Sequence, residues 1–513
     1  MKSKDLVLSV LFIGMWQVPS MAQTDDSLAA HYAASITEAG LRSVLNVLAD
    51  DSLEGRETGM EGQRKAAAYI MAQYRDYGIP PIPDAATRGM LPNGYQQQFP
   101  LVTNRLGGLR IRVDGTSYGF LTDYFYFQEH LQEALDVEDV MVLAPVSLGG
   151  ARLGGGSKVV MLLDTQDPGT DIMELAGQAG AAMAKTGTRV LLVVQDKAQE
   201  MMHHYDAFLG RARMQLDKGK EQNRAQGLQV VVITPQMAQA ILDHGHLTMA
   251  KAYKTTLKKR VIVKVPMHFA YTPKQQQLRA ENVLGFIEGS DKKGEIVAVT
   301  AHYDHVGMIN GEVYNGADDD GSGTAAVLGM AKAFARAKAE GHGPRRSMLF
   351  MAVSGEEKGL LGSEWYTDHP VFPLDSTVAD LNIDMIGRTD TVYGDSSRYV
   401  YVIGSKRISK QLGELIEQEN AKRTRLELDY KFDAENDPNR FYYRSDHYNF
   451  AKHGVPIAFF FNGVHADYHG PHDEVGKIRF DLLLQRTLLV YYTAWELANS
   501  DRRLAKDGPE GIR

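Results

Sequence analysis

"EIVAVTAH", residues 295–302, is a continuous apolar run that ends on a histidine. A strand with one wet face alternates apolar and polar residues, whereas an unbroken apolar run belongs to a strand buried on both faces. Runs of the same texture recur as "RSMLFMAVS" (346–354), "VADLNIDM" (378–385), "YVYVIG" (399–404) and "PIAFFFN" (456–462). Each is followed by a polar, glycine-rich turn, and helical patterns lie between most of them. Buried strands separated by helices specify an α/β fold, a mostly parallel central β-sheet flanked by helices.

Upstream of this region the texture differs. "ITEAGLRSVLNVLADD" and "EGQRKAAAYIMAQYRDYGI" carry apolar residues at three-to-four-residue spacing and read as helices, the second stopped by Pro80, Pro81 and Pro83. From residue 105 to 275 the chain turns to short runs such as "KVVMLLD", "RVLLVVQ", "QVVVIT" and "RVIVKV", with a helical stretch near 173–185. This predicts an inserted, smaller β-rich domain over 105–275. It would lie between an N-terminal helical part, 23–104, and a main domain, 276–513. The glycine-rich "LGGARLGGGSK" inside the insert precedes a strand instead of following one and opening a helix, so it reads as a hairpin or surface loop and not as a phosphate loop.

The first 22 residues combine early lysines, an apolar run from Leu6 to Val18 and a small-residue pattern at Ser20-Met21-Ala22. They read as a cleavable signal peptide cut after Ala22, with a run too short to favour a membrane anchor, and predict a periplasmic or secreted protein. No cysteine is present, so any metal must be held by histidine and carboxylate. The formal net charge of -8 and the lack of a Lys/Arg block give no footprint for nucleic acid, and no membrane contact is expected after cleavage.

In sheets of this kind ligands bind beyond the carboxyl ends of the strands. After "EIVAVTA" come His302 and Asp304; the next loop, "NGADDDGSG", holds Asp318, Asp319 and Asp320. Glu356 and Glu357 follow "RSMLFMAVS", Asp384 ends "VADLNI", and Tyr468, His469, His472 and Asp473 lie beyond "PIAFFFN". Three adjacent carboxylates repel one another, but they tolerate a shared loop if a multivalent cation sits among them. Histidine with carboxylate is zinc chemistry, and a catalytic zinc keeps a position open for water. Asp304 is too close to His302 in sequence to serve easily as a second ligand. It is better placed to accept the other imidazole N–H and fix the ring.

At these residues the chain resembles the co-catalytic two-zinc aminopeptidase family, metallopeptidase family twenty-eight, whose relatives include bacterial leucyl aminopeptidases and glutamate carboxypeptidases. The motifs that carry the resemblance are "AHYDHVG", "NGADDDGSG", "SGEEKGLLGS", "LNIDMIGR" and "DYHGPHDEV", in the family's order over about residues 281–495. "LADDSLEGRETGMEGQRKAAAYI" resembles the family's opening helices, and the 105–275 insert resembles its protease-associated domain. The resemblance implies the zinc exopeptidase fold and two Zn2+ per chain, one held by His302 and Asp384 and the other by Glu357 and His469. Asp318 would bridge them, with a cis peptide at Asp318-Asp319. Three ligand carboxylates and one hydroxide would offset two divalent ions. Glu356 would be the general base acting on a water shared by the metals, and Tyr468 would hydrogen-bond the developing oxyanion. Asp319 takes a supporting place beside the ligands. His305, Asp320, His472 and Asp473 receive no role, nor do Asp446 and His447 in "RSDHYNFAKHGVP".

The expected activity is removal of N-terminal residues from peptides with a free N-terminus. The alternatives are a glutaminyl cyclase of the same fold, using one zinc, a carboxypeptidase relative, and a receptor-like module that has lost the chemistry. Side-chain preference and oligomeric state are not legible in the sequence.

Overall fold

The computed structural model describes residues 21–83, 89–131, 133–144, 157–163, 177–178, 183, 186–219, 227–394 and 397–509. The expected signal peptide up to Ser20, the glycine-rich stretch 148–156 and most of the helix expected near 173–185 lie outside these residues. The chain divides into two compact units, one made of Met1–Phe99 with Arg279–Arg513 and the other of Pro100–Leu278. The second unit is wider at both ends than the expected insert. Strand Gln96–Arg105 leaves the first unit and strand Lys274–Ile287 returns to it, so neither boundary coincides with a change in sequence texture.

The main sheet of the first unit includes the strands β1 (Lys274–Ile287), β2 (Lys292–His302), β3 (Arg346–Val353), β4 (Thr377–Ile383), β5 (Tyr399–Ile403), β6 (Glu427–Asp429) and β7 (Ile457–Phe461). Their order across the sheet is β6-β5-β7-β4-β2-β3-β1. The central strands β7, β4, β2 and β3 run parallel, while β1 against β3 and β5 against β7 are antiparallel. Every residue of β3, β4, β5 and β7 is buried, as unbroken apolar runs require of strands covered on both faces.

Helices α1 (Glu38–Leu48), α2 (Glu61–Asp76), α3 (Gly323–Ala339) and α6 (Phe480–Asn499) share one core with Val297, Val299, Ala301, Phe350, Leu381 and Phe460. The opposite face packs Ile296, Leu349, Met351 and Phe459 against Tyr366 of α4 (Leu361–Asp368) and Phe450 of α5 (His447–Lys452). Period-two alternation along β2 therefore sends neighbouring side chains into different cores. Small residues in α3, the run "GTAA" above all, let that helix be buried almost all round.

The second unit has an eight-stranded sheet with a parallel run Leu135–Leu143, Val159–Leu162, Val190–Val194, Gln229–Ile233. It also carries helices Ala198–Gly210, Pro235–Asp243 and Met249–Thr256, and its own core around Val140, Leu192 and Phe269. It is thus more helical than the expected β-rich texture.

Candidate metal centre

β2 ends on His302, and α3 holds that end in place: Thr324 Oγ1 donates to the His302 carbonyl at 2.7 Å. The His302 Nδ1 lies 3.0 Å from the Asp304 backbone carbonyl and 3.8 Å from the Asp304 carboxylate. The ring is therefore set by the main chain of Asp304, and not by its carboxylate as expected. That carboxylate instead accepts from Thr58 Oγ1 at 2.6 Å and from the Glu356 N–H at 3.3 Å.

The three aspartates are separated by their neighbours. Asp318 Oδ1 accepts from the Gly387 N–H at 2.6 Å, and its Oδ2 faces His465 Nε2 at 3.3 Å. Asp320 Oδ1 accepts from the N–H groups of Gly323, 2.8 Å, and Met385, 2.9 Å. Asp319 alone reaches both sides of the centre: Oδ1 lies 3.3 Å from His302 Nε2, and Oδ2 lies 3.1 Å from His469 Nε2. The place between the two histidines, expected of Asp318, is thus held by Asp319, and the cis peptide falls at Asp319-Asp320. The register differs by one residue because Asp473 Oδ2 accepts from the N–H groups of both Asp318 and Asp319, at 2.9 and 3.0 Å, which leaves the Asp318 side chain to Gly387 and His465.

Around Asp319 stand two groups of ligand atoms. His302, Asp320 and Asp384 form one; His305, Asp319 and Glu357 form the other. Asp384 Oδ1 is 3.6 Å from His302 Nε2, and its Oδ2 accepts from Ser445 Oγ at 2.7 Å. Met385, next along, holds a left-handed φ of 55°, a conformation that costs about 1 kcal/mol or more and is fixed here by the bond to Asp320. Glu357 Oε2 is 3.0 Å from His469 Nε2 and its Oε1 is 2.9 Å from His305 Nδ1. Glu356 Oε2 stands 3.9 Å from His302 Nε2. Tyr468 stacks on His469 with ring centroids 3.9 Å apart.

Burial pushes the Glu356 carboxyl well above the usual range, with Glu357 and Asp384 adding to the rise and His302 opposing it. Burial pulls the His469 imidazole down, yet the carboxylates of Asp319 and Glu357 outweigh it and push the ring up to about 10. Burial and the surrounding carboxylates hold the Tyr468 phenol protonated.

The donor set fits divalent cations. Asp319 Oδ2 and Glu357 Oε1 face imidazole nitrogens at 3.1 and 2.9 Å, and Asp320 Oδ2 is buried with no hydrogen-bond partner among the described residues; a buried anionic oxygen without a donor is costly unless it coordinates an ion. Imidazole nitrogen with carboxylate oxygen suits zinc.

Three features escaped the sequence reading. His305 is fully buried against Glu357 and Gly316, where the φ of 53° and a ring 2.5 Å from any added Cβ admit only glycine. Asp320 lies close enough to His302 and Asp384 to share an ion with them. Arg56, also fully buried, donates to the carbonyls of Tyr303 (2.6 Å), Asn315 (2.7 Å), Gly316 (2.9 Å) and Leu48, and so ties together the loops that carry His302 and Asp319. His472 and Asp473 lie beside one another in sequence, but His472 is exposed whereas Asp473 is buried against the aspartate loop. "GRETG" offered no charge pattern that would mark Arg56 as buried.

A mostly parallel sheet thus gathers two histidine-and-carboxylate groups beyond the ends of its strands, each able to hold a metal ion. Residues 282–494 match the model of Peptidase family M28. Aminopeptidase YwaD of Bacillus subtilis (strain 168) is 27% identical over 232 residues, 44% of this chain and 46% of that protein. A probable glutamate carboxypeptidase, VP8 of Zea mays, is 26% identical over 259 residues, 48% of this chain and 35% of that one. The chain thus spans less than half the length of either. The solved aminopeptidase from Aneurinibacillus sp. strain AM-1 shares the fold, with a TM-score of 0.50, 16% identity, and coverage of 93% of this chain and 97% of that structure.

Proposed function

We propose that the chain is an exported two-zinc aminopeptidase that removes single residues from the N-termini of peptides. The observation that carries this reading is Asp319, whose two carboxylate oxygens are divided between His302 on one side and His469 on the other. His302 and Asp384 would hold one ion, His469 and Glu357 the other, with Asp319 between them. When bound, two such ions polarise the scissile carbonyl and acidify the attacking water.

The protein's own groups do the rest. Glu356 lies beside the ligands without an oxygen committed to a short ion pair, and burial raises its proton affinity, so it is suited to take the water's proton and return it to the leaving amine. The cavity bounded by Asp319, Glu356, Asp384 and Tyr468 measures about 30 Å³, which suffices for a water-sized reactant at the base. The protonated Tyr468 hydroxyl is a donor for the oxyanion. The substrate's ammonium is drawn to the same carboxylates, which favours the N-terminal end of a peptide. We read Pro100–Leu278 as a protease-associated-like insert from its sheet and its place in the chain, and export from the apolar leader.

A panel of aminoacyl anilides, run with and without a chelator and after zinc add-back, tests the reading. Hydrolysis that stops with the chelator and returns with two zinc per chain is expected. Ammonia release from Gln-peptides with one zinc, or cleavage blocked by C-terminal amidation and not by N-terminal acetylation, would replace it with cyclase or carboxypeptidase chemistry. N-terminal sequencing of the exported protein checks the cut after Ala22.

A further inference from the structure

The cavity at the centre has an acidic floor, Asp319, Glu356 and Asp384, and apolar walls that include Phe441, Phe459 and Phe461. Arg444 also lines it. The guanidinium Nη2 donates to Tyr468 Oη at 3.4 Å, and the guanidinium carbon lies 4.9 Å from the Phe441 ring centroid. Neither partner is charged. Other arginines of the same region are neutralised, Arg388 by Asp467 at 3.0 Å and Arg407 by Asp433 at 2.8 Å, whereas among the described residues no carboxylate pairs with Arg444. The residue is exposed, and the ring and the phenol hold its planar fork at the side of the cavity.

A cation placed here has the wrong sign for the ammonium end of a peptide, which the acidic floor attracts. It has the right sign and shape for a carboxylate, which a guanidinium binds through two parallel N–H···O bonds. The lining therefore presents both an acidic floor and a guanidinium at its side. A molecule matching both carries an ammonium and a carboxylate, as a dipeptide does. We propose that Arg444 binds the carboxylate of the residue that follows the scissile bond, so that dipeptides with a free C-terminus are the preferred substrates. This rests on the aminopeptidase reading above and specifies its substrate class. The carboxylate can be the C-terminal one or an acidic side chain at the same residue, and the two are separable by experiment.

The test compares Leu-Gly, Leu-Gly-amide and Leu-Asp-amide on the zinc-loaded full-length protein, with Arg444→Gln and Arg444→Lys beside it. The expected kcat/KM for Leu-Gly exceeds that for Leu-Gly-amide by roughly 10- to 100-fold, the range of a hydrogen bond to a charged group, and the difference lies mainly in KM. In Arg444→Gln the ratio falls to near one, and in Arg444→Lys it is intermediate. Because both substrates are read on the same variant, a general loss of activity cancels in the ratio. Leu-Asp-amide as good as Leu-Gly, with Leu-Gly-amide poor, would show that Arg444 takes either carboxylate and would overturn the preference for a free C-terminus. A wild-type ratio near one, or a high ratio that survives in Arg444→Gln, would overturn the role of Arg444 and leave the aminopeptidase reading standing. Failure to cleave any of the three, with zinc present, would overturn both.

Discussion

Asp318 and Asp319 are chemically identical neighbours with opposite employment, and that makes them the sharpest test of the centre. Asp319→Asn removes one negative charge from the point where the two ligand groups meet, so zinc affinity should fall by at least tenfold and turnover with it. Asp318→Asn keeps an oxygen for the Gly387 N–H and loses only the ionic contact to His465, so zinc content should be retained while stability drops by about 1–2 kcal/mol. Metal analysis of both purified variants, with urea midpoints, decides the assignment: equal zinc loss in the two would return the bridging place to Asp318. Glu356 lies beside the ligands, not among the two groups that enclose them. Glu356→Gln is therefore expected to bind zinc as the parent does and to lose roughly 10²–10⁴-fold in kcat, the usual worth of a positioned proton-transfer group. Parent-rate hydrolysis of aminoacyl anilides by that variant would remove Glu356 from the mechanism.

At the scale of elements, the loops are held by residues that touch no ligand. Arg56→Met leaves the carbonyls of Tyr303, Asn315, Gly316 and Leu48 without their donor, and a buried network broken from one side typically costs about 3–5 kcal/mol. A loss below about 1 kcal/mol in urea unfolding would show that the clamp is idle. The sequence made the sheet readable because fully buried strands leave an unbroken apolar signature, and the residues just after each strand followed from the rule that strand ends carry sites. Position along a loop was less readable. Three consecutive aspartates carry no chemical label, and what sorts them is a set of partners from distant segments: Asp473, Gly387, His465 and Met385. His305 and Arg56 were missed for the same reason, since an imidazole or guanidinium in a polar loop gives no sign that the fold will bury it. α5 offers a further case. His447 is stacked on Phe459 with centroids 4.6 Å apart, and its Nε2–H donates to the Tyr442 carbonyl at 2.9 Å. Burial, helped by Arg407, lowers its pKa to about 3 although the Tyr442 bond opposes the shift. Between about 6.5 and 3 the unfolded chain binds a proton that the folded one refuses, so this contribution to stability is complete above pH 6.5 and is lost as the pH falls. His447→Phe should flatten the stability profile over pH 4.5–6.5 by about 1.4 kcal/mol per pH unit relative to the parent. Parallel profiles for the two proteins would refute it.

Across the whole molecule the two units differ in what holds them together. Pro100–Leu278 closes its own apolar core around Val140, Leu192 and Phe269, whereas the other unit buries Asp318, Asp319, Asp320, Asp384, Glu356 and Glu357 near the ends of its strands. Burial pushes Asp320 and Glu356 well above the ordinary carboxylate range. In the interval between their ordinary and raised values the fold retains protons that the unfolded chain releases, so without a cation stability must decline as the pH rises through that interval. Bound zinc replaces the protons and removes the decline. At a thousandfold excess over its dissociation constant each ion adds about 4 kcal/mol, and two ions shift the transition of a unit this size by on the order of 10 °C. Calorimetry with and without a chelator should therefore show one transition that falls on stripping, further at pH 7.5 than at pH 5.5, and recovers with zinc. The transition of the Pro100–Leu278 unit should stay where it was. If both transitions moved together, or if the loss were larger at pH 5.5, the buried carboxylates would not be what the metal stabilises.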